Sequence, residues 1–476
     1  MSFLTYDLIF LGIFVLLLGT FLYRRRKEVK REGLLLLYRT KWGINLIHKI
    51  GKKYQKTLKV LSYVSISLGY ALLAGVLYMV GKIVWIYVTQ GAVVRAIKVP
   101  PITPLIPYLP QVFKLNFLPP FYFTYWIIII AIIAIVHEFA HGIFAARNKV
   151  KIKNTGFGFF PFFLPIFLAA FVELDEKKMA KKKKFDQLAI LSAGTFANVL
   201  TAALFFGVMI LFFSLTFAPS GVVFDAYPYT IVNTSSISMV NGIGISNISY
   251  PILLNLMNDT GFNHINADSI NYLATKSSIE MQNATPTELV LYYDAPAVKA
   301  NLESTILDIN GQKITSVSEL ANMPHKFSPG DNITLTVLDK NNDPYNRDIM
   351  LGQNPNNQSL AWLGIGFSPI QNQGVINQFY NTLSSFNRDH IYYASGIGDA
   401  GIFIYDLLWW LVIINVSVAL INMLPMGIFD GGRFFYLTIW AITKNENIAK
   451  KAFKFATYFF LFLLFVVMFF WIFYIR

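Results

Sequence analysis

The chain has 476 residues, of which 55% are hydrophobic and 16% aromatic, with 43 Phe, 25 Tyr and 8 Trp, and its mean hydropathy is +0.50. That balance lies above a soluble domain's and indicates a polytopic α-helical membrane protein long enough for more than one domain. The formal net charge of +14 falls in short basic runs beside apolar stretches, at Arg24-Arg25-Arg26-Lys27, 41–59 and 181–184. This is the pattern of cytoplasmic loops and argues against nucleic acid as a partner. The absence of Cys excludes disulfides, thiolate-bound zinc and a Cys nucleophile.

A spanning helix needs about 20 apolar residues, and the sequence predicts about six transmembrane helices, near 3–22, 61–88, 121–146, 187–217, 399–424 and 453–475. The first is followed by Tyr23 and arginines, with no small-residue cleavage site, so it reads as a retained anchor. Residues 24–59, 147–186 and 441–452 carry the Lys and Arg and are assigned to the cytoplasm. Residues 89–120 and 218–398 then lie outside, as do both termini. The expected organisation is N-terminal helices and a basic loop at 1–90, a first core half at 120–217, an extracytoplasmic domain at 218–398, and a second core half at 399–476.

Segment 154–171 is apolar but interrupted by Gly156, Gly158, Pro161 and Pro165. A re-entrant loop or hairpin dipping in from the cytoplasmic side fits best, because irregular backbone at membrane depth must be shielded by protein or a wet cavity. Residues 218–398 turn polar and carry Asn-x-Ser/Thr sequences at Asn233, Asn247, Asn258, Asn283, Asn332 and Asn357, agreeing with an outside location. Within 295–338, apolar strands at 306–309 and 333–338 flank an Asn310-Gly311 turn. A short helix is expected over 316–323, begun by Ser316-x-x-Glu319. This order resembles the circularly permuted PDZ domains, whose first strand usually begins Gly-Val-Val, as Gly221-Val222-Val223 does here. The resemblance implies a PDZ-like α+β domain made of 221–227 and about 291–368, with 228–290 as an insertion. Asn301-Leu302-Glu303-Ser304-Thr305 stands where that family usually has Gly-Leu-x-Pro-Gly-Asp.

The chemistry centres on His137-Glu138-Phe139-Ala140-His141, inside the apolar third span. Ionisable groups at hydrocarbon depth cost roughly 2.5–3.5 kcal/mol each and usually face a protein interior or a wet cavity. Residues four apart share a helix face, so both imidazoles can turn to one ion, with Glu138 beside them to handle the proton of an activated water. A catalytic zinc takes three protein ligands and keeps the fourth position open. For the third, His48, His264, His325 and His390 fall outside the membrane, whereas Asp430 follows the fifth span directly, where Pro425 and Gly427 break the helix.

His-Glu-Phe-Ala-His in a membrane helix, followed by Asn422-x-x-Pro425 and Asp430-Gly431 near a later one, resembles the site-2 proteases, the intramembrane zinc metalloproteases. Gly194-Thr195-Phe196-Ala197-Asn198 is similar to that family's Gly-x-x-x-Asn element. Gly427 and Thr195 each replace a frequent Pro of these motifs. The resemblance implies Zn²⁺ on His137, His141 and Asp430, and Glu138 as the catalytic acid/base. Asn198, Asn422 and Asn415 are candidates for holding the substrate backbone or the developing oxyanion, with interhelical hydrogen bonding as their structural alternative. Expected partners are transmembrane protein substrates, pre-trimmed outside the membrane, and the lipid bilayer. A transporter, or a catalytically silent PDZ adaptor, is the alternative function; no internal repeat supports the first and no lost ligand the second.

Overall fold

The computed structural model describes residues 3–33, 35–97, 100–101, 105–115, 118–159, 168–245, 249–282, 287–339, 342–368 and 386–475. It divides into two units, Met1–Phe212 with Ile402–Arg476, and Phe213–Gly401.

In the first unit, six helices among the described residues are long and apolar enough to cross a membrane: Phe3–Arg24, Gln55–Thr89, Phe123–Arg147, Lys184–Thr216, Asp399–Asn422 and Glu446–Tyr474. The second and sixth begin about two turns before their apolar stretches, because a helix propagates through Lys-bearing turns whose stems lie along apolar surface. The core joins Leu58, Ile66 and Leu73 of the second span to Phe144 of the third, Leu188 and Ile190 of the fourth, and Phe434. Small residues allow this approach: Ser65 hydrogen-bonds Ser192 at 2.6 Å, and a Cβ on Gly69 would stand 3.2 Å from the Ser192 side chain.

Two features differ from the expectation. Helix Asp430–Thr443 lies between the fifth and sixth spans, in a stretch read only as a break and a loop. The basic segment after the first span is not a plain loop either: Val29–Glu32 (β1) and Leu35–Thr40 (β2) join Ile152–Phe159 (β3) and Leu168–Leu174 (β4) in one antiparallel sheet, ordered β1-β2-β3-β4. Residues 160–167, with Pro161 and Pro165, lie outside the described residues. Gly156, which reads as a breaker, is a strand residue. Its absent Cβ would sit 2.3 Å from the Tyr38 carbonyl oxygen, and the Phe171 ring on β4 occupies the space. At one end of the sheet Glu173 of β4 accepts from Asn154 at 3.0 Å and from Arg39 and Lys153 at 3.4 Å each, tying three strands together. These donors, the Asn154 amide foremost, hold the Glu173 carboxyl below the usual carboxylate range.

The third span has no side-chain cap of its own at Tyr122. Its first amides are capped from the first span instead. Asp7, 2% exposed, accepts from Phe123 N at 2.8 Å, Thr124 N at 2.9 Å, Thr124 Oγ1 at 2.5 Å and Tyr108 Oη at 2.6 Å. A carboxylate at a helix N-terminus satisfies orphan donors and complements the helix dipole, which makes a buried charge tolerable here.

Among the described residues the second unit holds two larger sheets and a two-stranded pair, Gly352–Asn354 with Asn357–Trp362. One has Pro344–Met350, Asn332–Leu338, Thr305–Ile309, Phe217–Val223 and Ile391–Ser395 in that order, packed over Leu302, Ile306, Leu335 and Val337. Val222 pairs with Ile306, and Asn310 and Gly311 turn with positive φ at 52° and 77°. The helix Val317–Ala321 is capped by the Ser316 side chain. Strand Ile391–Ser395 was not anticipated; it pairs along Phe217–Val223. Residues 229–293 form a separate six-stranded antiparallel sheet with its own core of Val232, Ile265, Leu289 and Leu291. Asn233, Asn258, Asn332 and Asn357 are exposed, whereas Asn247 and Asn283 lie outside the described residues.

Two outcomes are expected. Asp7→Leu strands two buried amides and should cost about 1–3 kcal/mol, since unmet buried donors cost that much each; the thermal midpoint of the full chain in detergent reports it, with Asp7→Asn losing less. For Glu173, a depressed native pKa contributes stability above the unfolded value, near pH 4.3, and that contribution is lost as pH falls through the native pKa. Amide exchange at β4 should therefore accelerate below that range, and Glu173→Gln should remove the pH dependence.

Candidate metal centre

His137 and His141 lie one turn apart on the third span, buried, with ring centroids 4.7 Å apart. Asp430 is brought to them by a sharp reversal after the fifth span. A Cβ on Gly431 would stand 2.2 Å from the Met423 backbone carbon, and one on Gly432 would stand 2.1 Å from the Met426 carbonyl oxygen. Only glycine lets residues 423–429 fold back so tightly on helix Asp430–Thr443. That places the Asp430 side chain in the first turn of the helix, with its Oδ2 3.2 Å from His137 Nε2 and 3.1 Å from His141 Nε2; the two nitrogens are 3.0 Å apart.

The fourth span backs both imidazoles through residues spaced by four. The Ile190 carbonyl accepts from His141 Nδ1 at 2.6 Å. Gly194 supplies room: a Cβ there would be 2.4 Å from His141 Nε2 and 2.5 Å from His137 Nε2. The Asn198 amide nitrogen lies 3.1 Å from His137 Nδ1, and Asn198 is fully buried.

The three donors fit a metal. A carbonyl facing His141 Nδ1 requires a proton there, so the neutral ring presents a lone pair at Nε2, toward another imidazole and a carboxylate oxygen. Electron-rich atoms this close repel one another unless a proton or a metal cation lies among them. Tetrahedral zinc with bonds of 2.0–2.1 Å implies donor separations of about 3.3–3.4 Å, near the observed 3.0–3.2 Å. Among the described residues, His137, His141 and Asp430 are the group that could hold a metal ion.

Glu138 reaches sideways, and its Oε2 accepts from Val172 N of β4 at 2.8 Å. β4 pairs only with β3 among the described strands, so the Val172 amide lies on the sheet's free edge. Glu138, His141 and Asp430 all line a groove of about 830 Å³ whose walls include Lys153, Glu173 and Arg433. Arg433 bridges to Glu176 at 3.2 Å. Water thus has a polar path to the buried donors. Asn415 and Asn422 do not line this groove. The Asn415 amide donates to Leu411 O of its own helix at 2.7 Å, and Asn422 closes the fifth span. Sequence reasoning overlooked the Ile190 carbonyl and the Val172 amide. Backbone groups have no residue signature.

Gly194→Ala should push the imidazoles apart. Zinc per chain, measured by metal analysis after dialysis, is expected to fall well below that of the natural chain, while Gly207→Ala, whose Cβ meets nothing within 4 Å, should leave it unchanged.

The sequence model of peptidase family M50 matches residues 125–467. The chain is also similar to the uncharacterized protein MJ0971 of Methanocaldococcus jannaschii, 30% identical over 198 residues, which make up 40% of this chain and 47% of that protein. The chain therefore spans about half the length of this curated relative. A match over most of the chain, including every donor above, shows the family: the chain belongs to peptidase family M50.

Proposed function

We propose that this protein is a zinc-dependent intramembrane endopeptidase that cleaves transmembrane segments of membrane-protein substrates. One observation carries the reading: His137, His141 and Asp430 converge to within 3.2 Å at the wall of a groove that Glu138 shares. His137, His141 and Asp430 would hold the ion. Zinc bound there would supply Lewis acidity, polarising a carbonyl and making water nucleophilic near neutral pH. Glu138 takes the proton of the attacking water and returns it to the leaving amine. Its hydrogen bond from Val172 N fixes one carboxylate oxygen, so the side chain is aimed before substrate arrives. A substrate helix must unwind locally, because its peptide bonds are already satisfied and shielded from water.

The basic segments at 24–59, 147–186 and 441–452 support a site toward the cytoplasmic side, with residues 218–398 outside. In this reading the PDZ-like part of that domain selects substrates already trimmed outside the membrane. The strand order around Phe217–Val223 supports a PDZ-like assignment.

The test is to purify the full chain and Glu138→Gln, measure zinc in each, and supply a single-span substrate lacking its outer domain. Zinc should be stoichiometric in both, with cleavage by Glu138→Gln reduced about 10²–10⁴-fold, the usual worth of a general acid/base. Asp430→Ala should lose the metal. Equal cleavage by both proteins, or no stoichiometric zinc in the natural chain, would overturn the proposal.

A further inference from the structure

Asn198 is fully buried in the fourth span, and its Oδ1 has no hydrogen-bond partner. A buried carbonyl oxygen left unmet is costly, and its position beside a metal-binding imidazole narrows the reason. As placed, the amide nitrogen faces His137 Nδ1 at 3.1 Å. Two donors cannot face each other. That orientation therefore assigns the ring proton to Nε2, the atom 3.2 Å from Asp430 and 3.0 Å from His141 Nε2. A ligand nitrogen must present a lone pair, so it cannot carry that proton. A half-turn of the amide exchanges its oxygen and nitrogen with little other change. Oδ1 then meets an Nδ1–H of His137, so the oxygen gains a donor and the ring takes the tautomer that a ligand nitrogen needs.

The second imidazole supports the same arrangement. His141 donates its Nδ1–H to the Ile190 carbonyl, two turns before Asn198 on the same face of the fourth span. Each histidine thus has an oxygen behind it from one helix, with Gly194 between as the point of closest approach. Only the oxygen behind His137 comes from a side chain, so only that one can be removed by substitution.

We propose that Asn198 is a positioning residue for the metal centre, accepting the Nδ1 proton of His137 through Oδ1 so that the Nε2 lone pair faces the ion. It acts through His137 and does not touch substrate. This rests on the metal reading above. Partners of this kind orient ligand imidazoles and raise their basicity, and their loss typically weakens metal binding about 10–100-fold.

The experiment measures zinc dissociation constants by chelator competition on the full chain in detergent, for the natural residue and for Asn198→Ala, Asn198→Leu and Asn198→Asp. Ala and the near-isosteric Leu should each weaken zinc about 10–100-fold, while Asp, which keeps an acceptor oxygen, should restore affinity. If Ala and Leu bind zinc normally and lose only turnover, Asn198 serves substrate and the proposal is overturned. Normal affinity in Leu with weak affinity in Ala would assign the effect to packing and also overturn it, as would an Asp variant no tighter than Ala. Absence of zinc in the natural chain would instead overturn the metal reading itself.

Discussion

Three electron-rich atoms held about 3 Å apart in an apolar bundle repel one another, and much of the membrane unit is arranged to keep them there. The third span supplies two from one face. The fifth span must end, reverse and restart within eight residues to supply the third. The fourth span must come close enough to back both imidazoles, which it does by carrying no side chain at Gly194. Side-chain volume is the governing quantity: glycines at 194, 431 and 432 stand where any Cβ would collide with a donor or with the backbone that delivers one.

A second constraint is the unsatisfied backbone. In hydrocarbon, an unpaired amide or carbonyl costs several kcal/mol, yet among the described strands β4 has a free edge beside the centre. The groove reconciles these facts by admitting water where the edge is open, and Glu138 occupies one of the edge amides. The carboxylate therefore satisfies a backbone donor as well as standing by His137, His141 and Asp430. Charged side chains from β3, β4 and the helix that begins at Asp430 line the same opening, so it is polar along much of its wall.

The parts legible in the sequence were those with a residue signature. Apolar runs located the six spans to within a turn or two, His137, Glu138 and His141 announced themselves by polarity in an apolar helix, and Asp430 did so through the Pro and Gly around it. What the sequence hid depends on pairing between distant segments. Nothing local marks Leu35–Thr40 as a partner for Ile152–Phe159, or Ile391–Ser395 as a partner for Phe217–Val223. Glycines mislead in the same way: Gly156 looks like an interruption until the Tyr38 carbonyl and the Phe171 ring are seen to fill its space. Asn415 illustrates the converse, a polar residue in a membrane helix that bonds to its own backbone and takes no part in the groove.

The cap supplied by Asp7 bears on where this protein can be divided. The family match begins at residue 125, two residues after the first amide that Asp7 accepts. The matched region thus starts one residue past a hydrogen-bond cluster completed by the first span, and β3 similarly pairs with a strand outside that region. A helix shared with distant relatives is here held at its start by a segment that lies outside the shared region.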